Sequence, residues 1–585
     1  MQESSNQPDT TASDTRGRLH KDYAVVRIWP VIIITAVYAA VNGLLLRYGT
    51  TNIHSAIALG VAPAIALLLL LFWWFVASRI PLKDRFIGVA LFIAAAVAIV
   101  LGQRTVSLGA SLLASALQFL IYGIAPLALF AGRLHWSRGR WILLTGLAVW
   151  TGIFCAVWVD SIGGNLFPVV SWRWKASTTE HAGMLTRSTI QKTAQVPEQP
   201  GPEDWPAFRG VNRDGRVEGV RFSADWSIPP REVWRRDIGS AWSAFILVGG
   251  YLFTQEQRGE EELVTCYQAD TGEPVWHNSL GEKFEDGMGL GPRATPTYAK
   301  GRLYTQGGTG ILQCLDAATG AVIWKRDLRE DAGTDVPEWG FVSSPLVAGE
   351  LVIVFTAGEE GKGLIAYNGA TGEPAWLSGH GESGYCSPQL GVLCGIPQVL
   401  MVSNFGIESL NPQNGVPLWE NKWDIQTNPR CTQPVVIGNE FVMLGATGTS
   451  GSRRLRIEYA ESRWNVVEMW TTRQFRPYFN DGVLHHGYYY GFDGERVSCL
   501  DTGTGKRRWA GDRFSGQLLL VTHMDMLLIL SEAGELVLVS ATPEQYEVKA
   551  RFKALSGKTW NHPIIGGGKL FVRNAQEAAC FELPG

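Results

Sequence analysis

Cys314-Leu-Asp-Ala-Ala-Thr-Gly-Ala-Val-Ile-Trp324 decides the fold, because the chain repeats it. Cys266 to Trp276, Ala366 to Trp376, Ser409 to Trp419 and Cys499 to Trp509 carry the same order: a small residue, Asp or Asn nearby, Thr/Asn-Gly, three residues, Trp. Two eroded copies end at Trp470 and near Phe552. A fixed period of this kind marks a repeat architecture. Asp, Asn and Thr bond to local backbone, and Gly272, Gly320, Gly372, Gly415 and Gly505 permit φ > 0, so a strand turns and returns with the Trp on the returning strand. Further apolar runs precede each copy, as in Ala294-Thr-Pro-Thr-Tyr298 and Gly301-Arg-Leu-Tyr-Thr305. Four strands in about 44 residues describe a propeller blade.

Counting gives the number of blades. Trp276, Trp324, Trp376, Trp419, Trp470, Trp509 and Phe552 close seven units. Only three strands follow, near Pro563 to Ile565, Leu570 to Arg573 and Ala579 to Leu583, and an incomplete blade leaves an unpaired edge. Glu232-Val-Trp-Arg-Arg-Asp-Ile238, with Trp234 in the repeat's Trp position, supplies the missing fourth strand. The expectation is an all-β, eight-bladed propeller closed by its amino- and carboxy-terminal strands.

These motifs resemble the pyrroloquinoline-quinone-like (PQQ-like) propeller repeat family, whose repeat ends in Asp-x-x-Thr-Gly-x-x-x-Trp. The resemblance covers Trp205 to Gly585, and Trp205-Pro-Ala-Phe-Arg-Gly-Val-Asn-Arg-Asp-Gly215 looks like the lead-in of bacterial members. The family includes PQQ-dependent dehydrogenases and cofactor-free scaffolds such as the outer-membrane assembly protein BamB, so the fold does not choose a function.

Composition excludes some classes. In 585 residues, 18% are charged and the net charge is −3, which does not suit a nucleic-acid binder. The mean hydropathy of +0.03 divides into unlike parts. Five apolar runs, Trp29 to Leu46, Ser55 to Ser78, Phe86 to Gly102, Gly109 to Gly132 and Trp141 to Gly163, approach the roughly 20 residues of a membrane-crossing helix. Arg16, Arg18, Lys21 and Arg27 in the tail, then Arg79, Lys83 and Arg85, then Arg133, Arg138 and Arg140 fall in alternate connections of these runs, on one side, and the intervening connections hold only Arg47 and Arg104. By the positive-inside rule the tail (1–27) is cytoplasmic, the helical part (28–163) crosses five times, and all that follows faces outward, into the periplasm of a two-membrane cell. No Lys, Arg, Asp, Glu or His lies inside the runs except Asp160 at the outer end of the last, which disfavours a transporter or haem carrier. Residues 164–204, rich in Thr, Gln, Pro and Glu, read as an extended linker to the propeller (205–585).

Residues before the first strand of each blade face the central channel or its mouth: Arg293, Ser344, Ser387, Arg430, Arg476, Trp560 and His562, several of them just ahead of Pro296, Pro345, Pro388, Pro434, Pro477 or Pro563. Three arginines converging there suit an anionic ligand or peptide. No catalytic or metal set is legible, and His485 and His486, adjacent in a strand, point to opposite faces. Cys266, Cys314 and Cys499 alternate with Ala and Ser in other blades and read as small buried groups; Cys386 and Cys394 are the one local pair to consider as a disulfide.

The architecture resembles membrane-bound quinoprotein dehydrogenases in plan, but the adjacent-cysteine pair of the alcohol-oxidising members and a Glu, Asn and Asp set for Ca²⁺ are missing. The reading favoured is a membrane-anchored scaffold with the bilayer and outer-side proteins as partners and no cofactor. A quinoprotein oxidoreductase with PQQ and Ca²⁺ is the alternative.

Overall fold

The computed structural model describes residues 27–48, 60–103, 106–162, 168–174, 192–358, 361–423, 430–447 and 450–585. The chain divides into two compact units, 1–175 and 176–585.

Among the described residues the first unit contains five helices: α1 Trp29–Tyr48, α2 Ala62–Phe72 with a π-helical turn Trp73–Ala77, α3 Leu82–Leu101, α4 Val106–Gly132 and α5 Trp136–Cys155. Pro63 lies in the first turn of α2, where a missing N–H costs nothing. Among the described residues two helices are long and apolar enough to cross a membrane, Leu82–Leu101 and Leu108–Gly132. The five-span expectation is corrected accordingly. The apolar stretches in the first two helices, Trp29–Leu45 and Ala62–Ala77, are shorter, and α5 opens on Trp136-Ser-Arg-Gly-Arg140. The fifth run also stops being helix at Cys155: Val157–Ile162, with β-branched Val157, Val159 and Ile162, pairs with Pro168–Trp172 as a hairpin. Gln103 fixes this hairpin, donating to Val157 O and accepting from Val159 N, both at 2.9 Å. The helical unit is not wholly apolar inside, since buried Asn42 donates to the hydroxyls of Tyr38 and Tyr122. The tail expected to be cytoplasmic lies outside the described residues apart from Arg27.

The second unit is the eight-bladed propeller, each blade built on four antiparallel strands, in chain order in blades one to seven. The first strands of blades one to eight are Ile246–Val248, Thr297–Ala299, Leu346–Ala348, Gln389–Leu393, Val435–Ile437, Val483–His485, Gly516–Val521 and Ile564–Gly566. Arg231–Asp237 completes the eighth by pairing with Glu577–Glu582, and Trp234 stands opposite Cys580. Part of the stretch read as an extended linker lies on the propeller instead. Ala194 is buried and its N–H bonds Ala318 O at 2.8 Å, while Lys192 N–H bonds Val275 O at 3.0 Å.

The repeat now has a mechanical meaning. In six blades the small residue stands directly across from the aromatic one: Cys266–Trp276, Cys314–Trp324, Ala366–Trp376, Ser409–Trp419, Cys499–Trp509 and Cys580–Trp234. The indole then reaches over the turn of the next blade. Trp276 Nε1 donates to Ala317 O at 3.2 Å, Trp324 Nε1 to Gly369 O at 3.0 Å and Trp509 Nε1 to Thr542 O at 2.7 Å. A side chain at Gly320 would meet the Trp276 ring at 2.5 Å, and φ there is +72°, so this position needs glycine for both space and backbone. Trp234, Trp324, Trp376 and Trp470 cover Gly272, Gly372, Gly415 and Gly505 in the same way. Trp419 breaks the series. The hairpin it would meet, Gly451–Ala460 with Arg463–Thr472, has no turn glycine, and its Nε1 donates to Gln398 in its own blade at 2.7 Å. All eight cysteines are free thiols, Cys386 and Cys394 included, and burial pushes the Cys386 thiol up to about 12.

Candidate functional site

In blades one to six the residue two positions before the first strand belongs to a hydrogen-bonded relay that runs from blade to blade. Ala244 N–H donates to Thr295 Oγ1 at 3.1 Å, Thr295 N–H to Ser344 Oγ at 2.9 Å, and Ser344 N–H to Ser387 Oγ at 2.9 Å. Ser387 N–H continues to the Gln433 side-chain oxygen at 3.0 Å, and Gln433 N–H ends on Asp481 Oδ1 at 2.7 Å. Five successive blades are thereby tied to the next by one side chain each. Ser344 and Ser387, expected as ligand contacts, are links in this relay.

Asp481 receives the relay and a cation. Arg209 Nη1 lies 3.2 Å from Asp481 Oδ2, with both side chains almost wholly buried, and Arg209 Nη2 donates to Gly482 O at 2.6 Å. Arg209 belongs to the lead-in, which crosses one end of the channel as a plug. Trp205 exchanges backbone bonds with Leu247 in blade one, and Tyr298 N–H in blade two reaches Pro206 O. Arg213 donates to Pro345 O and Ser344 O in blade three, and Gln389 in blade four donates to Asn212 O. Arg216–Val217 then runs parallel to the first strand of blade seven. The segment thus touches six blades. Arg209 and Arg213 both have positive φ, +60° and +57°, which turns their side chains into the ring. Burial draws the Arg213 guanidinium down to about 10, which leaves it charged at neutral pH.

The opposite mouth is aromatic and cationic. Trp560 lies 4.9 Å from Trp242 and 4.8 Å from Phe479, and Lys558 Nζ sits 3.5 Å from the Trp560 ring centroid. Lys558 also donates to Met288 O at 2.7 Å, and burial draws its ammonium down to about 7. Trp339 stacks on Tyr385 at 4.6 Å, and Arg293 donates to Trp339 O and pairs with Asp286 at 2.7 Å.

The seven expected channel residues therefore occupy four places. Trp560 and Arg293 are at the mouth. Ser344, Ser387 and His562 hold the relay position. Arg430 lies with its guanidinium over Trp423 and bonds Trp423 O, whereas Arg476 pairs with Asp493 at the end of the second strand of blade six. The three arginines do not converge. Arg476 misleads because Pro477 is not the repeat's proline: Gly482 stands in that position, so Asp481 is the ring residue. His485 and His486 likewise depart from expectation. The strand ends at His485, His486 has φ +48°, and the rings lie 3.9 Å apart on one side.

His562 Nε2 lies 3.9 Å from Asp481 Oδ2, yet burial, followed by the Arg209 charge, holds the imidazole down to about 3. A neutral buried His binds no proton where the unfolded chain does, so its stabilising effect is present above the unfolded value near 6.5 and is lost as pH falls from there toward 3. Denaturant midpoints at pH 7 and pH 4.5 are expected to show this acid loss, and His562→Gln is expected to reduce it.

A Ca²⁺-bridged quinone needs six to eight oxygen ligands with carboxylates among them. Asp481, the carboxylate in the relay, is already engaged by Arg209 and the Gln433 amide, and Asp286 at the mouth is engaged by Arg293. These residues do not fit that group.

With this geometry in hand, likeness to known proteins can be stated. Residues 260–511 match the family model for the outer membrane protein assembly factor BamB. The match lies inside the propeller. The BamB of Shewanella oneidensis is 22% identical over 326 residues, covering 53% of this chain and 76% of that protein. The BamB of Burkholderia pseudomallei is 24% identical over 320 residues, covering 50% of this chain and 72% of its own. Among solved structures, BamB from Moraxella catarrhalis aligns over 60% of this chain and 99% of its own, with a TM-score of 0.45 and 15% identity. A quinohemoprotein alcohol dehydrogenase from Pseudomonas putida aligns over 67% of this chain and 83% of its own, with a TM-score of 0.49 and 13% identity.

Proposed function

We propose that this chain is a membrane-anchored protein-interaction scaffold whose propeller faces the periplasm and serves envelope protein assembly. The observation that carries the reading is the use of the ring's centre. The relay from Ala244 to Asp481 and the plug from Trp205 to Val217 use the polar groups they contain to hold the blades together. Binding then falls to the outer surface. There blade five differs from the others, with paired strands of 10 residues each, Gly451–Ala460 and Arg463–Thr472, that leave Tyr459, Val467 and Met469 exposed. The names of the BamB relatives agree with an assembly role.

Membrane anchoring is supported by the helical unit, where Leu68, Phe72, Val76, Phe86, Leu101, Phe119 and Phe130 are each at least 60% exposed, a surface suited to hydrocarbon. An outward orientation requires all five helices to cross, a topology that the clustering of Lys and Arg in alternate connections supports.

A photo-crosslinker at position 467 in intact cells is expected to yield a discrete protein adduct, and replacing Tyr459 and Met469 by Asp is expected to cut its yield at least tenfold. Stoichiometric PQQ binding in the presence of Ca²⁺, with dye reduction by sugars or alcohols, would overturn the scaffold reading in favour of a quinoprotein dehydrogenase.

A further inference from the structure

Two hairpin turns on the plug side of the ring bring together a donor set that the scaffold reading does not use. In blade six the first strand ends at His485, and His486-Gly487 make the turn to Tyr488–Asp493. In blade seven Asp525 occupies the matching turn, between Gly516–Val521 and Met526–Ser531. His486 and Asp525 adopt φ of +48° and +50°, and this left-handed geometry swings both side chains toward the gap between the blades. His485 Nε2 lies 2.7 Å from Asp525 Oδ1, and His486 Nε2 lies 3.8 Å from the same oxygen. Ligand atoms from all three residues lie within 4.8 Å of one another.

We propose that His485, His486 and Asp525 form a binding site for a borderline divalent cation of the Zn²⁺ class. In a tetrahedral zinc site with bonds of about 2.0–2.1 Å, neighbouring donor atoms are roughly 3.3 Å apart, and the two measured separations bracket that value. The chemistry of the donors makes the selection: two imidazoles and one carboxylate suit Zn²⁺, Co²⁺ or Ni²⁺, whereas Ca²⁺ and Mg²⁺ require more oxygen. His485 is nearly buried, with 5% of its side chain exposed, while Asp525 and His486 are 65% and 78% exposed. The inner ligand is therefore held by the fold and the outer two face solvent, which leaves a fourth position for water or for a donor from a partner.

The position of the site gives it a consequence. Arg216, in the plug strand, donates to Leu484 O next to His485, and Gly219 N–H just beyond that strand bonds His523 Nδ1 in the blade-seven turn. A cation at the three ligands ties blade six to blade seven where the lead-in leaves the channel, and so fixes the plug. His523 Nδ1 already accepts the Gly219 N–H and is not counted as a ligand.

The test is calorimetric titration of the purified full-length chain with ZnCl₂, together with the visible spectrum of the Co²⁺ complex. One Zn²⁺ per chain is expected, with His486→Ala and Asp525→Ala each weakening binding at least tenfold, His523→Ala leaving it unchanged, and CaCl₂ giving no heat. His486 and Asp525 are exposed, so both variants should fold, and unchanged denaturant midpoints without metal will confirm it. Equal Zn²⁺ affinity in wild type, His486→Ala and Asp525→Ala would overturn the assignment.

Discussion

Arg209→Ala is expected to destabilise the propeller by about 3–5 kcal/mol, the cost of leaving one member of a buried ion pair without its partner. The two side chains are 3% and 4% exposed, so water cannot replace the guanidinium beside Asp481. The loss has a second component, because the same arginine donates to Gly482 O and Asp214 O and so holds the plug to blade six. Denaturant unfolding of the purified chain measures the effect. The double variant Arg209→Ala/Asp481→Ala is expected to lose less than the sum of the two single variants, since neither charge is then stranded. Arg231→Ala provides the contrast. Its partner Glu582 is solvent-exposed, and a surface pair of this kind contributes about 0–1 kcal/mol. A cost for Arg209→Ala no greater than that for Arg231→Ala would show that the plug does not hold the ring.

The second large effect is expected at the inter-blade staple. Trp276 is fully buried, and its truncation to alanine is expected to cost about 3–5 kcal/mol. Its ring fills the space over Gly320 in blade two, and its N–H satisfies Ala317 O, so the deletion opens a cavity and leaves a carbonyl without its donor. Gly320→Ala attacks the same contact from the other side, adding a Cβ at 2.5 Å from the ring in a residue with φ +72°. In the Trp276→Ala background the steric part of that penalty should vanish and the backbone part remain. Unfolding midpoints of the two single variants and the double variant separate the two terms. Full additivity would mean that the residues do not meet.

The blades were legible in the sequence because every unit restates the same turn chemistry, and because the missing fourth strand at one end matched Glu232 to Ile238 at the other. The plug was not legible, for a physical reason. Trp205 to Val217 has no internal period, and its partners, Leu247, Pro345, Gln389, Asp481 and Leu520, are scattered along the chain. The left-handed backbone at Arg209 and Arg213, which aims both side chains inward, leaves no mark in residue type as a glycine would. The relay was half legible: Thr295, Ser344, Ser387, Gln433 and His562 each precede a proline, but Gly482 replaces that proline in blade six and hides Asp481 behind the false signal of Arg476-Pro477. Alternation within a strand misplaced His485 and His486 because the strand stops between them. In the helical unit hydropathy located the five described helices, yet local β-branched residues ended the last one at Cys155.

The shared eighth blade also bears on the order of synthesis. Arg231–Asp237 leaves the ribosome before any complete blade exists, and its partner Glu577–Glu582 is made only after the seven intervening blades. Throughout the intervening translation this strand is a bare edge, open to pairing with any other chain. Its sequence, Arg-Glu-Val-Trp-Arg-Arg-Asp, suits that wait, with five charges in seven residues. Once the ring closes, those charges find partners: Arg231 with Glu582, Arg235 with Glu577 and Arg236 with Glu273. The groups that keep the nascent strand in water thus become the clasp of the finished ring.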